Sequence, residues 1–377
     1  MKQVIEENRQ WIDEVWTKLD HKLSQLAVLS ENKIPNTTVN GVHNDNSGDD
    51  KINVWTNGFW GGIMWLMYRG TGKAQYKKTA VCQEKMLDRA FAHYEKLDYD
   101  LGFMWTLTSV ASYKITGDES SKVRALFAAS TLASRFNPKL KLIRAWNAPN
   151  GAGETIIDCM MNLPLLYWAG EELDDARFQH MAMAHADSTL KKHLRPDGSV
   201  HHIVVTDPET GEVVKCVGGQ GFADGSSWTR GQGWAIYGYV LSYLHTSKQD
   251  YLDAAKRVAH YFIAAVCEDY VPRCDFRQPE EPLVYDTSAG AIAACGLIEL
   301  AKCVPELEQK MYINAAIRMM KALEAAHCRW DMDEQSILQN ATGMYHCDDG
   351  IHVPLIYADY FFTEAMYKLK GFEPLFW

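Results

Sequence analysis

Ile156-Ile157-Asp158-Cys159-Met160-Met161-Asn162-Leu163-Pro164-Leu165-Leu166, continued by Tyr167-Trp168-Ala169-Gly170, is the stretch that decides the fold. It is long enough for a helix and lacks the polar face of a surface helix. A helix apolar on every side belongs in a core. Asp158 is its one acid before Glu171. A buried carboxylate is costly unless it has a partner or a chemical task.

Five more segments read the same way, rich in Gly, Ala and aromatics: roughly 56–70, 101–115, 228–245, 287–302 and 357–370. Between them lie amphipathic, charged segments at roughly 4–29, 73–94, 118–136, 173–194, 249–267 and 306–328. This strict alternation predicts an all-α (α/α)6 barrel, polar helices outside and apolar helices inside, as one domain over residues 1–377. The charged helices share a loose repeat: Gln75-Tyr76-Lys77-Lys78-Thr79-Ala80, Asp250-Tyr251-Leu252-Asp253-Ala254-Ala255 and Lys310-Met311-Tyr312-Ile313-Asn314-Ala315-Ala316. A tetratricopeptide solenoid is the competing architecture, but its period is regular at ~34 residues. Here the apolar helices start near 55, 100, 158, 228, 286 and 359. Such uneven intervals suit a ring with loops inserted at one face, the longest at about 30–55, 195–227 and 268–286. Strand signals are sparse. Ser199-Val200-His201-His202-Ile203-Val204-Val205, followed by Asp207-Pro208-Glu209-Thr210-Gly211, predicts a short hairpin.

Composition narrows the function. A formal net charge of −10 argues against general nucleic-acid binding. It also means that an anionic substrate must be met by local cations. No stretch reaches the ~18 consecutive apolar residues of a membrane span. The opening MKQVIEENRQWIDEVW carries early charges and no signal-peptide core. Nine Cys without a CxxC pair fit reduced thiols in the cytoplasm. The 13 His include no HExxH motif. His201 and His202 are adjacent, so in a strand they point opposite ways, and His180 and His185 are expected at the surface of a polar helix. Neither a phosphate-binding loop nor a dinucleotide fingerprint is present. No metal and no cofactor is expected.

The apolar helices open on related residues: Trp55-Thr56-Asn57-Gly58, Asp100-Leu101-Gly102-Phe103, Asp158, Trp228-Thr229-Arg230-Gly231-Gln232, Asp286-Thr287-Ser288 and Asp359-Tyr360. In a toroid these starts converge at one end. Asp, Ser or Thr at a helix start can simply cap free N–H groups, worth ~1 kcal/mol each. Asp100 and Asp158, at equivalent points of the pattern among aromatics, instead predict a shared pocket in which the two carboxyl pKa values are driven apart. Arg230 is a candidate fork for a substrate carboxylate, with an ion pair to Asp224 or Asp286 as the structural alternative. Trp55, Trp146 and Trp234 are candidates for stacking on sugar faces, against the alternative of core packing.

These segments together resemble the unsaturated glucuronyl hydrolases of bacteria, over nearly the whole chain. The resemblance is carried by WTNGFWGGIMWL (55–66), DLGFMWTLTS (100–109), IIDCMMNLPLLYWAGE (156–171), DGSSWTRGQGWAIYG (224–238) and YDTSAGAIAACGL (285–297). It implies an (α/α)6 barrel that removes the 4,5-unsaturated uronic acid left at nonreducing ends by polysaccharide lyases, with a small unsaturated oligosaccharide, glycosaminoglycan-derived, as substrate. It implies Asp158 as the acid/base and Asp100 as the second essential carboxylate. It further implies Trp55, Trp146 and Trp234 as stacking residues, and His202, Gln220 and Arg230 as polar pocket residues. Two departures stand out. Tyr99 occupies the place where a well-known relative has His. In the C-terminal loop, Met344-Tyr345-His346-Cys347-Asp348-Asp349-Gly350 replaces the Ser/Lys cluster of sulfate-preferring members, so this loop is expected to present negative charge to the pocket and to disfavour sulfated sugars. An unsaturated rhamnogalacturonyl hydrolase is the nearest rival. A sugar 2-epimerase would need paired His at the inner-helix starts, and a noncatalytic helical-repeat scaffold would need no paired acids among aromatics.

Overall fold

The computed structural model describes residues 1–149 and 151–377. In chain order the helices are α1 (Lys2–Glu7), α2 (Arg9–Leu29), α3 (Phe59–Thr71), α4 (Ala74–Leu87), α5 (Leu101–Trp105), α6 (Ala111–Thr116), α7 (Glu119–Ala133), α8 (Leu163–Leu173), α9 (Ala176–Lys192), α10 (Thr229–Thr246), α11 (Gln249–Ala265), α12 (Thr287–Cys303), α13 (Glu306–His327) and α14 (Ile356–Lys370). A π-helical turn at Thr106–Val110 joins α5 and α6 into one continuous rod. The rods α3, α5–α6, α8, α10, α12 and α14 form an inner ring, which closes where α14 packs on α3. The helices α2, α4, α7, α9, α11 and α13 stand outside it, and the fold is an (α/α)6 barrel.

Periodicity explains the two layers. Along α11 the buried residues are Tyr251, Leu252, Ala254, Ala255, Val258, Ala259 and Phe262, one stripe at helical spacing. In α12 every residue from Thr287 to Ala301 is buried, which only an inner position permits. The outer repeat is also explained. Tyr76 and Tyr251 each reach an Asp on the preceding outer helix, with OH–Oδ1 distances of 2.9 Å to Asp20 and 2.8 Å to Asp187. Tyr312 meets His260 Nε2 at 2.9 Å on α11.

Among the described residues, seven short strands occupy the loops. β1 (Thr38–Val39) pairs with β2 (Val42–His43), and β3 (Phe136–Asn137) with β4 (Leu142–Ile143). The expected hairpin is present as β6 (Ile203–Thr206) against β7 (Val213–Val217). It gains a partner that the sequence did not signal, β5 (Glu154–Ile156), antiparallel to β6 with Ile156 opposite Ile203. Among the described residues, no helix is long and apolar enough to cross a membrane.

Candidate active site

This three-stranded sheet assembles one wall of a cavity at the end of the ring where the inner helices begin. Asp158 lies two residues beyond β5, in a 3₁₀ turn at Ile157–Met161 that precedes α8. His202 is the residue before β6, tied down by a 3.0 Å hydrogen bond from Ile157 N–H to its carbonyl. Gly218, Gly219 and Gln220 follow β7. The cavity, about 400 Å³, is lined by Trp55, Asp98, Tyr99, Asp100, Trp146, Asp158, His202, Gln220, Arg230 and Met344, with backbone or apolar surface from Ile156, Ile203 and Gly219. Seven of the eight residues expected at the site therefore converge on it.

Asp158 is 7 % exposed. Burial pushes its carboxyl up to about 7, against the pull of the Arg230 charge and the Trp234 indole. Its Oδ1 stands 3.7 Å from His202 Nε2, and among the described residues neither atom has a hydrogen-bond partner. Unspent polar atoms in a buried place call for an explanation; here both lie beside a cavity that a ligand can fill. Burial holds His202 neutral, down to about 3. Its Nδ1 lies 2.9 Å from the Gly218 carbonyl and 3.1 Å from the Gln220 N–H. Gly219 has φ +60°, and a Cβ there would fall 2.3 Å from His202 Nδ1, so this turn needs glycine.

Asp100 precedes α5 but its side chain makes no cap hydrogen bond. By contrast Asp118, Asp175 and Asp286 do cap their helices. Burial, then the charges of Asp98 and Asp158, lift the Asp100 carboxyl well above the usual range. Asn162, which sequence reading missed, joins the two acids. Its Nδ2 lies 3.4 Å from Asp100 Oδ1 and 3.5 Å from the Asp158 carbonyl, while its Oδ1 accepts the Phe103 N–H at 2.8 Å. Gly102 allows this approach, since a Cβ there would lie 2.5 Å from Asn162 Cα. An Asn inside an apolar run, four residues after the Asp, was the available signal.

Arg230 is 1 % exposed and fixed through both terminal nitrogens. Its Nη1 donates to Asp286 Oδ2 and to the Thr342 carbonyl, both at 2.6 Å, and its Nη2 to the Gly343 carbonyl at 2.7 Å. Gln220 Oε1 is 3.4 Å from Nη2. The guanidinium lies 4.5 Å over the Trp228 ring and 5.3 Å over Tyr357. Of the two alternatives left open by the sequence, the ion pair is present, with Asp286, and it makes Arg230 a fixed cation at the cavity wall.

Three expectations need correction. Trp234 is fully buried between Phe103 and Phe361, at ring distances of 5.2 and 5.3 Å. It has no face for a sugar and does not line the cavity. Trp55 and Trp146 are half-buried and do line it. Asp348 and Asp349 are exposed in a short 3₁₀ turn, outside the cavity lining; Met344 is the residue of that loop that reaches it. Asp359 sits in the first turn of α14 and accepts the Ile337 and Leu338 N–H groups, a loop anchor away from the cavity. His185 is buried, not on the surface, where its Nδ1 accepts the Ile143 N–H at 2.9 Å; the polar helix that carries it turns that side inward.

The model of Glycosyl Hydrolase Family 88 matches residues 27–272. The chain belongs to this family, that of the unsaturated glucuronyl hydrolases. It is 38% identical to an unsaturated glucuronyl hydrolase of Bacillus sp. (strain GL1), with 89% of this chain and 90% of the relative aligned. It is 34% identical to an unsaturated chondroitin disaccharide hydrolase of Streptococcus pyogenes serotype M1, over 85% of this chain and 82% of the relative. Among solved structures, the Bacillus sp. GL1 unsaturated glucuronyl hydrolase, responsible for degradation of glycosaminoglycan, superposes with a TM-score of 0.86 at 36% identity, covering 94% of this chain and 96% of that one. The unsaturated glucuronyl hydrolase of Streptococcus agalactiae gives a TM-score of 0.90 at 30% identity, covering 97% and 93%. The family-88 chain described here is a glycoside hydrolase.

Proposed function

We propose that this glycoside hydrolase releases the 4,5-unsaturated uronic acid from the nonreducing end of lyase-generated disaccharides of glycosaminoglycan origin, using residues 1–377 as one catalytic domain. The observation that carries the reading is one cavity lined by two buried carboxyls, both lifted above the usual carboxylate range, and by a fixed cation. The C4=C5 bond of such a sugar is conjugated to the ring oxygen as a vinyl ether, and Asp158, with a carboxyl at about 7, carries a proton to give to C4 near neutral pH. Positive charge then develops at C5 and the ring oxygen. The negative charge left between Asp158 and Asp100 faces it in a buried site, where such stabilisation is strong. Water adds at C5 and returns a proton to Asp158. The hemiketal opens, and the bond to the neighbouring sugar breaks as C1 becomes an aldehyde. One water is consumed, and the acid is regenerated.

In this reading Asn162 sets the spacing of the two acids. The Arg230 wall, with Gln220 and His202, receives the substrate carboxylate. Trp55 and Trp146 take the sugar faces. Trp234 backs Asp158 from the core. Nine free thiols support a reducing, cytoplasmic setting.

The test follows the ultraviolet absorbance of the conjugated double bond, which hydration at C4=C5 removes. Unsaturated disaccharides from unsulfated chondroitin or hyaluronan should lose it with wild-type protein and keep it with Asp158→Asn. Turnover of an unsaturated rhamnogalacturonan disaccharide in their place would overturn the substrate class while leaving the chemistry.

A further inference from the structure

Asp98 lines the same cavity, yet neither the motif nor the chemistry above uses it. Its Oδ1 accepts the Asp100 N–H at 3.0 Å. Among the described residues its other oxygen accepts no hydrogen bond, and the side chain is half-buried. The segment that carries it is braced. Arg135 donates from Nη1 to the Leu97 carbonyl at 3.2 Å and to Asn147 Oδ1 at 2.7 Å, and from Nη2 to the Ala145 carbonyl at 2.8 Å. Asn147 Nδ2 adds a second bond to the Leu97 carbonyl at 2.8 Å. The main chain before Asp98 is thus fastened to the main chain on either side of Trp146. A carboxylate oxygen and a half-buried indole are held in the lining of one cavity.

We propose that Asp98 is a substrate-binding and positioning carboxylate, whose Oδ1 fixes the backbone of Asp100 and whose Oδ2 accepts a hydroxyl of the sugar stacked on Trp146. The inference rests on the function proposed above. Carboxylates are strong acceptors for sugar hydroxyls because the hydrogen bond is charge-assisted. An aromatic face beside such an acceptor holds the apolar side of a sugar while the acceptor sets its rotation. The cavity wall is thereby divided. Arg230 takes the anionic end of the substrate, and Asp98 disfavours an anionic group beside itself.

Two variants separate the two oxygens. Asp98→Asn keeps an oxygen for the Asp100 N–H but loses the charge. Asp98→Ala loses both. With an unsaturated unsulfated chondroitin disaccharide as probe, KM should rise roughly tenfold or more in both variants, the usual range for a lost charge-assisted bond. In Asp98→Asn, kcat should stay within about threefold of wild type, whereas Asp98→Ala should lose kcat as well. An unchanged KM in both variants, with wild type active, overturns the proposal and leaves the proposed function standing. A kcat loss with unchanged KM makes Asp98 a brace only, which also overturns it. Wild type inert on the probe overturns both. Should Asp98→Ala fail to fold, the KM of Asp98→Asn decides alone.

Discussion

The two ends of the inner ring treat buried charge in opposite ways. Where the inner helices begin, Asp158 Oδ1 and His202 Nε2 are buried without hydrogen-bond partners among the described residues, and Asp158 and Asp100 are lifted toward the protonated form. Toward the other end, Lys368 Nζ lies 2.9 Å from Glu364, 3.3 Å from Glu299 and 2.6 Å from Tyr237 OH. Glu364 also receives the Trp377 indole N–H at 2.9 Å and the Tyr237 hydroxyl. Lys368 is held above its ordinary range, because Glu364 and Glu299 together outweigh a burial penalty that alone would lower it. Burial alone would raise Glu299, but Lys368 and Lys302 together hold it below its own range. Similar burial thus gives a closed electrostatic network at one end and an open one at the other. The open network is where a ligand can complete the bonding.

The contrast can be broken most directly at Asp158. Asp158→Asn should cut kcat by ~100- to 10,000-fold, the range of a lost general acid, while the protein still binds substrate by calorimetry. Activity above about a hundredth of wild type would remove Asp158 from that role. At the closed end, Lys368→Met leaves Glu364 buried without its cation and Glu299 with Lys302 alone, at 3.0 Å. A broken buried pair costs about 3–5 kcal/mol, visible as a lower urea midpoint, and no comparable loss should follow Asp158→Asn.

The next effect reverses the usual sense of a mutation. The Asp158 pKa is raised on folding, so its favourable contribution is full below about 4 and is lost as pH rises through about 7. Asp158→Asn lacks this loss. Its stability relative to wild type should climb by roughly 1.4 kcal/mol per pH unit between those limits and be flat above them. A difference independent of pH would place the Asp158 carboxyl at an ordinary value. On the proposed mechanism the acid form of Asp158 is the active one, so kcat/KM should fall on the alkaline side with an apparent pKa near 7, approaching tenfold per unit. Smallest of all, replacing the exposed Asp348 and Asp349 by Ser should change the ratio of kcat/KM for 6-sulfated and unsulfated disaccharides by less than about twofold, because charges in high dielectric and outside the cavity act weakly. A larger change would put that loop at the substrate.

Much of the architecture was legible because periodicity reports burial directly. Each of the twelve helical segments read from the sequence has its counterpart in the ring. The π turn at Thr106–Val110 and the 3₁₀ turn around Asp158 were not legible, since both keep an apolar pattern close to that of a helix. β5 was missed because three residues cannot show alternation. At the site, the paired acids stood out as charges in apolar runs. Asn162 and Asp98 did not, because their importance lies in contacts across 59 to 62 residues and in the cavity edge. Trp234 was misread for a related reason. A tryptophan in an apolar helix looks the same from sequence whether its face meets a sugar or Phe361.

The antiparallel sheet gives the site an address that the ring does not supply. Asp158 and His202 extend from two strands joined at Ile156 and Ile203, and Gln220 follows the third. A slip of one residue in β6 would turn His202 to the other face and unmake the wall without disturbing a single helix. The turn at Asp207–Gly211, beyond the far ends of β6 and β7, carries no such constraint. Length changes there leave the register at the base of the hairpin, beside the site, in place.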